Sequence, residues 1–143
     1  MKRILSIAML TTLASCAATT TTSPASLPPA TPVFFEPWSA ALDGHALSSI
    51  AAAAQQAQAT PTARVVVTGA ADSTGSATAN KYISETRAQQ VADQLVADGV
   101  ARERIKVHAV GVVSAAPIPD GTPAQFSRRV LIQVGAPGSD TIW

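Results

Sequence analysis

The sequence has very little of what covalent chemistry requires. Among 143 residues there is one cysteine and there are two histidines. A lone cysteine makes no internal disulfide. His45 falls in a predicted helix and His108 in a predicted strand, where each reads as structural, so no nucleophile–base pair stands out. No cluster of Cys, His, Asp and Glu has metal-ligand spacing. No metal or cofactor is expected, and an enzyme is the least favoured class. Charge is also sparse, at 13% of residues with a formal net charge of +1. Removing residues 1–15 takes away Lys2 and Arg3 and leaves eight basic residues against nine acidic, a net charge of −1. With no basic run, no aromatic ladder and only 4% aromatic residues, nothing supports nucleic-acid binding. Almost half of the residues are apolar, but many of these are alanine, which implies a modest core.

The apolar run from Ile4 to Ala14 is too short to span a bilayer, which takes about 20 apolar residues. Preceded by Lys2 and Arg3, it reads as the apolar region of a secretory signal over residues 1–15. It closes on Leu13-Ala14-Ser15-Cys16, which resembles the lipobox of bacterial lipoproteins. That resemblance implies cleavage before Cys16 and acyl chains, palmitate among them, on its thiol and amino group. The alternative is an ordinary signal peptide that happens to contain a cysteine. Two or three acyl chains would hold a protein stably in a membrane. Ala17 in place of an aspartate after the cysteine implies sorting to the outer membrane, facing the periplasm.

Residues 17–32 carry four prolines and no hydrophobic periodicity, and with Cys16 they read as a Thr/Pro-rich tether. A domain is expected over residues 33–134, with a tail at 135–143. Its strands are predicted at 32–36, 64–68, 105–110 and 129–134. Its helices are predicted at 40–58, with Ser39 as N-cap and Thr60-Pro61 as stop, and at 80–98, with Asn80 as N-cap and Gly99 just past the end. A Pro/Gly-containing loop occupies 114–125. The order β-α-β-α-β-β implies an α/β (α+β) two-layer sandwich with a mixed sheet.

Chemistry concentrates in one strand–loop–helix unit. Asp72 follows the β-branched run Val65-Val66-Val67 and precedes Gly75, where the chain turns; Arg87 comes fifteen residues later. On the second helix Ile83, Arg87, Val91 and Leu95 fall in one column, so Arg87 stands in line with the core and needs a fixed partner or a route to solvent. Spacing leaves open whether Arg87 is structural, bonded to Asp72 or to a carbonyl, or binds a ligand. Asp72 is likewise explicable as a turn residue, and Ser84 as a small residue for close helix–sheet packing.

Asp72, Gly75, Asn80, Ser84, Arg87 and Ala88 stand at the spacing of T-D-x-x-G-x(4)-N-x-x-L-S-x-x-R-A, and this stretch resembles the OmpA-like peptidoglycan-binding domains. The similarity covers roughly residues 33–134. Ser127-Arg128-Arg129-Val130 is similar to the family's N-R-R-V, with Ser for Asn. Gly69-Ala70-Ala71-Asp72 lacks the His and Thr of G-H-T-D, and the G-x-G-E-S-x-P segment survives only as Gly111 and Pro117. The resemblance implies a site in which Asp72 and Arg87 grip the ammonium and carboxylate of meso-diaminopimelate in peptidoglycan stem peptides. In it Asn80, at the helix start, also belongs to the peptidoglycan-binding set, and Arg129 adds a second cation at the rim. It implies a lipoprotein of the peptidoglycan-associated kind that tethers the envelope to the cell wall. The competing expectation is an assembly or interaction subunit of an envelope complex, using the fold to dock proteins without holding peptidoglycan.

Overall fold

The β-branched run beginning at Arg64 continues to Ala71 as strand β2 (Arg64–Ala71), and the rest of the fold is built around it. A computed structural model describes residues 29–113 and 125–135. In chain order these residues form β1 (Thr31–Phe34), α1 (Gly44–Ala59), β2, α2 (Ala77–Ala97), a 3₁₀ turn at Arg102–Arg104, β3 (Ile105–Val112), a second 3₁₀ turn at Gln125–Ser127 and β4 (Arg129–Gly135). The sheet order is β1-β4-β2-β3. Strand β2 runs parallel to β3, from Val65 opposite Ile105, and antiparallel to β4, from Arg64 opposite Gly135. A parallel pair needs a crossover connection, and α2 supplies it. This is the two-layer α/β sandwich with a mixed sheet that the element order predicts.

The core lies between the helices and one face of the sheet. In β4 the alternation is plain: Val130, Ile132 and Val134 are buried against the helices, while Arg129, Leu131 and Gln133 are half-exposed on the other side. They meet Ile50, Ala53, Ala54 and Ala57 of α1 and Ala88, Val91 and Leu95 of α2, together with Val33, Val65 and Val67. The alanines make a thin helix–sheet seam instead of a bulky one. Where α2 crosses β2 the contact is backbone to backbone. A Cβ on Gly69 would lie 2.0 Å from the Ser84 carbonyl oxygen and 3.0 Å from the Ala88 methyl. Ser84 is fully buried there; its hydroxyl donates to the Lys81 carbonyl and accepts from the Gly111 amide. Gly69→Ala is therefore expected to force α2 outward and cost about 1–3 kcal/mol. In a domain of this size that lowers Tm by roughly 4–8 °C per kcal/mol, which differential scanning calorimetry measures directly.

Several boundaries differ from the sequence expectation. Helix α1 starts at Gly44 because the Asp43 carboxylate accepts from the Ala46 amide at 2.7 Å. Ser39 instead accepts from the Ala41 amide in the preceding turn. Helix α2 starts at Ala77, capped by Ser76, which accepts from Ala79 N; Asn80 thus sits inside the first turn and is not the N-cap. Strand β1 includes Thr31 and Pro32, paired with Ile132 and Leu131, so the sheet begins two residues inside the segment predicted as tether. Pro32 is tolerated because β1 is an edge strand. Gly99 has φ +94, the left-handed geometry expected just past a helix end. Arg104 secures the end of α1 by donating to the carbonyls of Ala57, Thr60 and Ala63. The predicted signal segment, Cys16, most of the tether, nearly all of the 114–125 loop and the tail after Gly135 lie outside the described residues. Among the described residues no helix is long and apolar enough to cross a membrane.

Candidate ligand-binding site

The site forms where β2 ends and α2 begins. Between them residues 72–76 turn through Gly75, at φ +91. Asp72 is buried in this turn, and one carboxylate oxygen accepts from Thr74 N at 3.1 Å. That is the local turn chemistry expected of an aspartate. Its other oxygen accepts from Arg128 Nη1 at 2.8 Å, in an ion pair with both side chains about nine-tenths buried. Arg128 also donates through Nε to the Phe35 carbonyl at 3.3 Å.

Arg87 is 1% exposed and holds the segment before α1 in place. Its Nε donates to the Ser39 carbonyl at 2.8 Å and one Nη to the Glu36 carbonyl at 2.9 Å, while the guanidinium lies 5.3 Å from the centroid of the Phe35 ring. Between the two carbonyls Ser39 N donates back to Glu36 O at 3.2 Å, which closes a turn with Pro37 second and Trp38 third. Trp38 has φ 55. A proline followed by a positive φ is the layout of a type II turn, whose third position normally belongs to glycine. A bulky residue held there stores strain of order 1–3 kcal/mol. The Trp38 ring packs against Gly75 so closely that a Cβ on that glycine would meet its Cη2 at 2.5 Å.

Together these elements enclose a cavity of about 90 Å³ lined by Pro37, Trp38, Ala71, Asp72, Thr74, Asn80, Ile83, Arg87 and Arg128. One buried polar atom of a lining residue, Asn80 Nδ2, has no hydrogen-bond partner among the described residues. Buried polar groups are nearly always paired, because leaving one bare costs about 1–3 kcal/mol. Asn80 Nδ2, unpaired beside this cavity, marks a place where a polar ligand would complete the bonding. The charges are unequal: two guanidinium groups face one carboxylate. Burial pushes the Asp72 carboxyl upward, but hydrogen bonds from Arg128 and Thr74 and the Arg128 charge outweigh it, so the group is held below the ordinary carboxylate value. Burial, followed by the neighbouring Arg128 charge, lowers the Arg87 pKa, and Asp72 opposes both.

Of the residues picked out by sequence, Asp72, Asn80 and Arg87 line one cavity. Arg129 does not join them. It stands on the helix-free face of the sheet, lines a separate hollow with Thr68, Ala70, Val110, Val113 and Leu131, and donates to the Phe126 carbonyl. The second cation of the site is Arg128. Strand alternation carries the signal for it: Arg128 is in phase with the core residues Val130 and Ile132, and Arg129 is out of phase. His45 and His108 are both exposed and line no part of the cavity. Among the described residues no group of three His, Cys, Asp or Glu side chains could hold a metal ion.

The geometry of this strand–loop–helix unit agrees with the comparisons. The OmpA family model matches residues 34–129, and the chain belongs to the OmpA family. The match runs through both helices, the 72–76 loop and Arg128. Among solved structures, the peptidoglycan-associated lipoprotein from Burkholderia pseudomallei is similar, with a TM-score of 0.66 at 20% identity, covering 72% of this chain and 88% of that one. The OmpA-like domain of FopA1 from Francisella tularensis has a TM-score of 0.62 at 24% identity, covering 74% and 71%. The C-terminal domain of Helicobacter pylori MotB has a TM-score of 0.61 at 24% identity, covering 76% and 87%. At these identities the likeness is one of fold. No curated protein sequence matches the chain.

Proposed function

We propose that this domain binds peptidoglycan non-covalently, gripping the free end of meso-diaminopimelate in the stem peptide. That end group carries an ammonium and a carboxylate on one carbon. A carboxylate offers about four acceptor positions; Arg128 and Thr74 take two on Asp72, and the others suit the ammonium. A guanidinium has five N–H donors, and those of Arg87 not given to Glu36 and Ser39 suit the ligand carboxylate in charge and planarity. The observation that carries the reading is the juxtaposition of this charge set with the unpaired Asn80 Nδ2 around one small cavity. The site carries one more positive than negative charge, so a ligand bringing a carboxylate is favoured over one bringing an ammonium alone. No covalent step is required, and we read the protein as a binding module and not as an enzyme. Family membership and the similarity to a peptidoglycan-associated lipoprotein support the same assignment. Sacculi with diaminopimelate-type walls should pull down the wild-type protein and leave Asp72→Ala in the supernatant. Equal recovery of both would remove the site from the account.

The lipobox-like Leu13-Ala14-Ser15-Cys16 supports a lipid anchor on Cys16, and Ala17 supports the outer membrane, with the domain facing the periplasm and the Thr/Pro-rich segment giving it reach to the wall. Mass spectrometry of the mature protein should find Cys16 as the first residue, carrying acyl chains, and Cys16→Ser should carry none. An unacylated wild-type Cys16 would contradict the anchor.

A further inference from the structure

Trp38 is the feature of the site that the charge clamp leaves unexplained. It is 57% exposed although it lines the same cavity as Asp72 and Arg87. It takes up a backbone geometry that glycine adopts freely and tryptophan does not. Its turn is fixed from both sides, because Arg87 bonds the carbonyls of Glu36 and Ser39 that flank it. The ring rests on Gly75, in the loop that carries Asp72. A strained, bulky, exposed residue held rigidly at a cavity mouth is a signature of a ligand contact.

We infer that the indole of Trp38 is the platform on which the aliphatic chain of the bound diaminopimelate stacks, so that this residue sets a preference for long zwitterionic side chains over short ones. The inference rests on the binding reading above. The cavity is small, and among its lining residues only Pro37 and Trp38 are exposed. With the ammonium–carboxylate end group held between Asp72 and Arg87, the three methylenes that join it to the stem peptide run out past Pro37 and Trp38. Covering them on one side removes part of their surface from water and is worth on the order of tenfold in affinity. Arg87 acts here as a positioning residue for the platform as well as a ligand for the carboxylate.

Two probes of different length test this: the tripeptide L-alanyl-D-glutamyl-meso-diaminopimelate, which reaches the ring, and free D-alanine, a zwitterion that ends inside the cavity. Both are titrated by NMR into wild type, Trp38→Gly and Trp38→Phe. Glycine takes up φ 55 without strain, so Trp38→Gly should melt no lower than wild type. It should nevertheless bind the tripeptide about tenfold more weakly and D-alanine within twofold of wild type. Phenylalanine should restore most of the tripeptide affinity. Equal tripeptide affinity for wild type and Trp38→Gly would overturn the platform while leaving the cell-wall reading intact. A loss of equal size for both probes would also overturn it, because the ring would then be shaping the cavity and not stacking on the chain. Failure of wild type to bind the tripeptide at all would overturn both.

Discussion

Asp72→Asn is expected to lower the stability of the domain by about 3–5 kcal/mol at neutral pH, because it removes one partner of a buried ion pair and leaves the other charged. The change is harsher here than at an ordinary pair. Arg128 and Arg87 line one cavity with Asp72, so without the carboxylate two guanidinium groups face each other uncompensated. With total stabilities of about 5–15 kcal/mol for such domains, the variant stays folded with a much reduced margin. Its effect should also depend on pH in a fixed direction. The Asp72 pKa is lowered in the folded protein, so the pair's contribution is present above the unfolded carboxylate value, about 3.9, and is lost as pH falls below it. Urea unfolding of both proteins between pH 7 and pH 3 should show a wide gap that narrows below about pH 4. A gap of constant width would mean that Asp72 does not stabilise the fold through its charge. Binding of diaminopimelate fragments should fall by about 2–5 kcal/mol, on the order of thirtyfold or more.

Arg87→Met is expected to damage fold and binding together. Methionine keeps the apolar stem but leaves the carbonyls of Glu36 and Ser39 without their donors and removes the cation from the Phe35 ring. Hydrogen bonds to charged groups are each worth about 1.5–3 kcal/mol, so for two of them a loss of about 3–6 kcal/mol is expected. The turn carrying Trp38 should loosen first. Arg87→Lys should rescue little, since a single ammonium cannot reach two carbonyls and a ligand in the planar arrangement of a guanidinium. Equilibrium unfolding of the three proteins, with hydrogen exchange at the Ser39 amide, measures both effects. Unchanged stability in Arg87→Met would show that the clamp on the 36–39 turn contributes nothing.

Asp72, Asn80 and Arg87 were legible because they belong to one continuous strand–loop–helix unit, in which sequence spacing is nearly spatial spacing. The β-branched run of β2 and the Gly99 stop were legible for the same local reasons. Arg128 was not, because it joins Asp72 from 56 residues away; only the alternation in β4 separates it from Arg129 next door. The N-caps went to Asp43 and Ser76 and not to Ser39 and Asn80, since all three residue types cap well and tertiary context chose between them. Asn80 is instead buried in the cavity wall, a placement that no N-cap preference predicts. Trp38 gave no advance sign beyond the preceding proline, because a tryptophan in a left-handed turn position runs against local preference.

Recognition of the zwitterionic end of diaminopimelate is tested most directly by calorimetric titration of the wild-type protein with matched muropeptides that carry diaminopimelate or lysine at the third position. Lysine keeps the ammonium and lacks the distal carboxylate, so in a cavity with an excess of positive charge it should bind at least about thirtyfold more weakly, a difference of roughly 2 kcal/mol. Equal affinity for the two muropeptides would show that the site does not read the distal carboxylate.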